Sequence, residues 1–110
     1  MELTEAHLQQ LQTLVLEGFA VVSFPLFPAY VGVQKYGCAA LLEPGADGRL
    51  RLFAQPGYLI EGHISVIVER DRQKWFVWKS HQVRATEERL RDLRGFEEEL
   101  RGRLERPAAV

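Results

Sequence analysis

The sequence predicts a single α+β domain over residues 1–110: an N-terminal helix, an antiparallel four- to five-stranded meander sheet and a C-terminal helix, with both helices on one sheet face. Three observations predict it. Apolar residues recur at helical spacing at both ends of the chain, at Leu8, Leu11 and Val15 and again at Leu90, Leu93, Phe96, Leu100 and Leu104. Between these ends the period shortens to strict alternation, as in Leu50, Leu52 and Ala54 or Ile60, Gly62, Ile64, Val66 and Val68. Turn chemistry separates the alternating stretches at Pro44-Gly45-Ala46-Asp47-Gly48, Pro56-Gly57 and Asp71-Arg72-Gln73.

The first helix is expected over residues 5–17. Thr4 is its N-cap, Glu5 lies where the helix dipole favours an acid, Leu3 and Leu8 hold the staple positions, and Gly18 is the stop. A short strand follows over 19–24. Pro25 and Pro28 then break any regular element, and Gly32 and Gly37 extend an irregular segment to residue 37. Strands are expected at 38–43, 49–55, 59–70 and 74–83. Thr86 caps the second helix, whose Glu87–Arg91, Glu97–Arg101 and Glu99–Arg103 spacings suit i,i+4 ion pairs, and Pro107 ends it.

Side chains alternate along a strand, so register decides which residues share a face. Keeping the apolar sets together places Val68 opposite Trp75, Val66 opposite Val77, Leu52 opposite Gly62, Leu50 opposite Ile64, Leu42 opposite Leu50 and Cys38 opposite Ala54. Leu50, Leu52, Ile64, Val66 and Val77 then form a core face under the helices. The other face carries Leu41, Arg51, His63 and Ser80 in one row and Ala39, Phe53, Glu61 and Gln82 in the next. Ile67, Phe76 and Trp78 lie towards the last hairpin.

Composition narrows the function classes. The chain is 46% hydrophobic and 26% charged, which is globular and excludes disordered, collagen-like and coiled-coil classes. Net charge is −1, but it is unevenly spread: residues 1–69 hold seven acids against three bases, and residues 70–110 eight acids against eleven bases. A single cysteine, Cys38, excludes an internal disulfide and fits a reducing compartment. No basic leader precedes an apolar run, and the most apolar stretch, residues 19–33, is broken by prolines, so a cytoplasmic chain with no membrane partner is expected.

No motif fixes a reaction. Cys38 falls on the core face, where a thiol is packing rather than a nucleophile. Glu61 and His63 share a face but His81 does not, which leaves a metal short of its third protein ligand; neither metal nor cofactor is expected. Arg51, Glu61, His63 and Ser80 could form a small-ligand or minor enzymatic site, with Glu61 or His63 as base and Arg51 holding an anion. Lys74, Phe76, Trp78 and Arg84 could hold single-stranded nucleic acid by stacking and charge. Tyr30, Lys35 and Tyr36 lie in the irregular segment and suit either a functional loop or an edge cover. The leading expectation is a non-catalytic interaction domain. It would be a homodimer through the apolar residues of the open face, Phe53, Ile67, Phe76 and Trp78, or through the C-terminal helix.

Overall fold

The computed structural model describes residues 2–105 and has the expected α+β architecture, with more strands than the meander called for. Helix α1 spans Glu5–Leu16. Its N-terminus is a reciprocal cap: the Thr4 hydroxyl accepts the His7 N–H at 3.2 Å, and the Thr4 N–H donates to His7 Nδ1 at 3.1 Å. Gly18, at φ 96°, supplies the left-handed residue just past the helix. Leu11 and Leu14 are buried and Leu3 packs against the core, whereas Leu8 is exposed.

The main sheet is antiparallel and six-stranded: β1 (Ala20–Val22), β2 (Val31–Lys35), β3 (Cys38–Pro44), β4 (Leu50–Leu52), β5 (Gly57–Ile60) and β6 (His63–Ile64). The stretch expected to be irregular up to residue 37 thus contains β2. It is joined to β3 by the two-residue turn Tyr36-Gly37, both at positive φ. Strands β4 and β5 share one edge of β3, with Leu52 opposite Leu42 and Tyr58 opposite Cys38. These pairings replace the expected Leu42–Leu50 and Cys38–Ala54. Residues 53–56 form an interruption that shifts the register by two, which preserves side-chain parity.

Val31, Val33, Cys38, Ala40, Leu42 and Leu50 therefore still share the core face. Both helices cover it, through Leu11 and Leu14 of α1 and Leu93, Phe96, Leu100 and Leu104 of α2 (Glu87–Glu105). Two polar ties lock this layer. Gln10 accepts the Leu50 N–H at 2.7 Å, and Lys35 reaches the Glu17 carbonyl at 2.5 Å and the Glu99 carboxylate at 2.6 Å. Glu97 and Arg101 form their expected pair, but Glu99 takes Lys35 and Arg103 takes Glu17, so the expected Glu99–Arg103 pair does not form. Pro107 lies outside the described residues.

The opposite face of the main sheet is not open, contrary to expectation. Residues 23–30 fold over it, and Phe24 joins Ala39 and Leu41 in a second buried cluster. A Cβ on Gly32 would come 2.5 Å from the Phe24 ring, so glycine there lets the loop close.

The single strand expected over 59–70 is two strands and a crossover. Glu61 and Gly62, at φ 52° and 76°, make a two-residue turn that pairs Leu59 with Ile64 rather than running straight on. Leu50 and Leu52 accordingly do not meet Ile64 and Gly62. After Ser65 the chain enters a separate three-stranded sheet, β7 (Val66–Arg70), β8 (Gln73–Trp78) and β9 (His81–Arg84). The predicted register holds there, Val66 opposite Val77 and Val68 opposite Trp75. The buried side is the other one: Phe76 is 0% exposed and packs into the main core, whereas Val66 is 62% exposed. Among the described residues no helix is long and apolar enough to cross a membrane.

Candidate functional site

The polar set expected to form a ligand site is not assembled. Arg51 is exposed and pairs across the strand with Glu43, Nε to Oε2 at 3.1 Å. Glu61 occupies the β5–β6 turn, and the exposed Ser80 lies in the turn between β8 and β9. Counting along β3 and β5, Arg51 and Glu61 are about eight strand positions apart, roughly 25 Å at ~3.3 Å per residue. No single small substrate bridges that distance.

His63 instead stacks on Trp78, with centroids 3.8 Å apart and planes 4° from parallel. His81 stacks on the same indole at 5.7 Å, and the Lys79 ammonium lies 4.9 Å from it. The expectation that His63 and His81 lie on opposite faces is thus corrected. It counted them along one sheet, whereas β6 and β9 belong to different sheets.

The residues expected at the interface are also dispersed. Phe53, 42% exposed, stacks on Tyr30 at 4.1 Å and belongs to the cover of the main sheet. Phe76 is buried against Tyr58 at 4.9 Å and cannot meet a partner. Trp78 is half-buried beneath the two imidazoles, and Ile67, at 47%, is the accessible one of the three on the second sheet. The nucleic-acid set fails on the same residue, because a buried Phe76 offers no stacking surface. Arg84 lies opposite Trp75 and so points away from Lys74 and Phe76. Lys35 and Tyr36 serve structure: both bond to Glu99. Glu99 holds the ammonium above its ordinary 10.5, and Lys35 in turn holds that carboxyl below its ordinary 4.5.

Cys38 is fully buried and its Sγ lies 3.7 Å from the Tyr36 carbonyl. Burial first, and the charge of Asp92 second, push the thiol up to about 11. Alkylation of the native protein at neutral pH should therefore be at least about 100-fold slower than in denaturant, because it needs both opening and deprotonation. A thiol-reagent time course checks this; equal rates in the two states would return Cys38 to the nucleophile candidates.

What sequence reasoning missed is the outer face of the second sheet. Val66, Val68, Trp75 and Val77 share it by register. None of the four packs against either core cluster of the described residues. Arg70, Gln82 and Arg84 border it, with Arg70 bonded to the Gln82 side chain. Alternation marks two apolar sets in β7 and β8, but the set assigned to the core, with Val66 and Val77, is the one left outside. Comparison with protein-family models, with curated proteins and with solved structures finds no match to this chain.

Proposed function

We propose that this chain is a non-catalytic interaction domain that forms a homodimer through the outer face of β7, β8 and β9. The observation that carries the reading is the apolar row Val66, Val68, Trp75 and Val77, left without a covering layer among the described residues. Sheet faces of this composition are covered in stable proteins, and aromatic residues anchor most protein contacts. The same reading puts the chain in the cytoplasm, in keeping with one unpaired, buried thiol.

Size sets the strength. Three strands at ~4.8 Å spacing and five residues at ~3.3 Å cover roughly 240 Å². A standard interface takes about 800 Å² from each partner, so the dimer should be weak and exchange in the micromolar range. A two-fold axis lying between the two sheets and perpendicular to the strands carries the Arg70 ends of the two copies to opposite ends of the interface, which keeps like charges apart.

Light scattering with size-exclusion chromatography over a concentration series tests this. The wild type should move from monomer to dimer as concentration rises. Trp75→Ala should remove the dimer at concentrations where the wild type holds it, a loss of about 2 kcal/mol or more in association. A wild type that stays monomeric at millimolar concentration, or a dimer indifferent to Trp75→Ala, would refute the proposal.

A further inference from the structure

We infer that the cleft between edge strand β7 and helix α2 binds an extended acidic peptide, which adds to β7 as a fourth strand of the second sheet. The cleft measures about 530 Å³. That is the range of ligand-binding cavities and too large for unfilled packing space. One wall is the edge of β7. Val66 and Ile67 both line it, after Ser65 of the crossover, and because successive side chains of a strand leave opposite faces, both reach the cleft where the strand shows its edge. β7 pairs with β8 on one side, and no further backbone hydrogen bond of Val66–Arg70 is made among the described residues. The free edge is a template for strand addition.

Side chains supply the rest of the recognition. Ile67 on the sheet and Leu90 and Leu93 on the helix give an apolar floor for one anchoring residue. Lys74 on β8 and Arg94 on α2 enter from opposite walls, and neither has an ion pair or side-chain hydrogen bond among the described residues. The acid of the same cleft, Glu97, is already neutralised by Arg101 at 2.8 Å. The cleft therefore presents two positive charges that make no ion pair among the described residues, beside an apolar floor, and its complement is an apolar residue flanked by carboxylates. Towards the hairpin tip a second hollow shares Lys74 and Leu90 and is lined by acids as well as bases, among them Glu69, which lies opposite Lys74 across the β7–β8 pair. The acidic preference therefore centres on Lys74 and Arg94. The unpaired strand edge favours a peptide over a small carboxylate, because only a peptide backbone answers it along its length. The inference does not rest on self-association: the cleft meets the outer face only at Val66, whereas Ile67 and Lys74 lie on the inner side of the second sheet and Leu90, Leu93 and Arg94 on α2.

The test is a titration of the isotope-labelled full chain, followed by amide chemical shifts, with a short peptide alternating valine and glutamate. Its lysine counterpart and octanoate are run in parallel. The glutamate peptide should shift the amides of residues 66–70 and 90–97 and bind with a dissociation constant of about 10–300 μM. The double variant Lys74→Glu, Arg94→Glu should weaken it by about tenfold or more, and Arg94→Gln, a change on the exposed helix surface that leaves the fold intact, by about threefold. No shift at about 1 mM peptide, equal binding of the lysine peptide, or affinity unchanged by Arg94→Gln would each overturn the inference. So would octanoate reproducing the shifts where the peptide does not.

Discussion

Phe76→Ala should lower the free energy of unfolding by about 3–5 kcal/mol, while Val66→Ala should change it by less than about 0.5 kcal/mol. The two residues sit one strand apart on opposite sides of the same sheet. Phe76 is fully buried, stacked on Tyr58 at 4.9 Å, and joined to the cluster that holds Leu14, Phe96 and Leu100. Removing its ring leaves a cavity at the junction of the two sheets, where strands fixed by separate hairpins cannot both move in to fill it. Val66 loses only two methyl groups already largely in water. Urea denaturation at low micromolar protein separates these effects from self-association. Comparable losses in both variants would mean that the outer face is covered in the monomer.

This pair of variants also marks where the sequence was legible. Alternation gives a strand's parity, and it paired Val66 with Val77 and Val68 with Trp75 as found. It does not say which parity faces inwards when both sets are apolar, and Ile67, Phe76 and Trp78 are as apolar as Val66, Val68 and Val77. The helices were legible because their stripes are one-sided: Leu93, Phe96, Leu100 and Leu104 are buried as their spacing requires. The turn at Tyr36-Gly37 was missed because Pro25, Pro28, Gly32 and Gly37 together read as one irregular segment, and the turn at Glu61-Gly62 for a different reason. A glycine as the second residue of a two-residue turn is indistinguishable by hydropathy from a glycine inside a strand, so Ile60, Gly62 and Ile64 read as one continuous face. With that turn unread, β6 and β9 fell into one sheet, and Arg51, Glu61, His63 and Ser80 were gathered into a site that the crossover at Ser65 takes apart. Phe24 closing on Gly32 is a contact between segments on either side of two prolines, which no local pattern carries.

Gly57→Ala should be the most damaging of the glycine substitutions, costing about 3 kcal/mol or more. Gly57 begins β5 opposite Ala39, and the chain returns directly over it as it leaves one sheet for the other. A Cβ built there overlaps the Ser65 carbonyl and approaches the Ile64 side chain to 2.7 Å. Overpacking against a side chain is often relieved by a rotamer change, but here the obstacle is backbone. That backbone is held in place: Ser65 is buried, its N–H donates to the Tyr58 carbonyl at 3.0 Å, and its hydroxyl donates to the same oxygen at 2.5 Å. Relief of the clash must break this crossover, and with it the contact that seats Phe76 against Tyr58. Gly95→Ala is the control of opposite sign. Gly95 lies inside α2, a Cβ there meets nothing within 4 Å, and helix propensity favours alanine by up to about 1 kcal/mol. Thermal unfolding followed by circular dichroism should show the Gly95 variant melting above the wild type. The Gly57 variant should melt far below it or fail to fold. A Gly57→Ala protein with wild-type stability would mean that the chain does not cross over itself at Ser65.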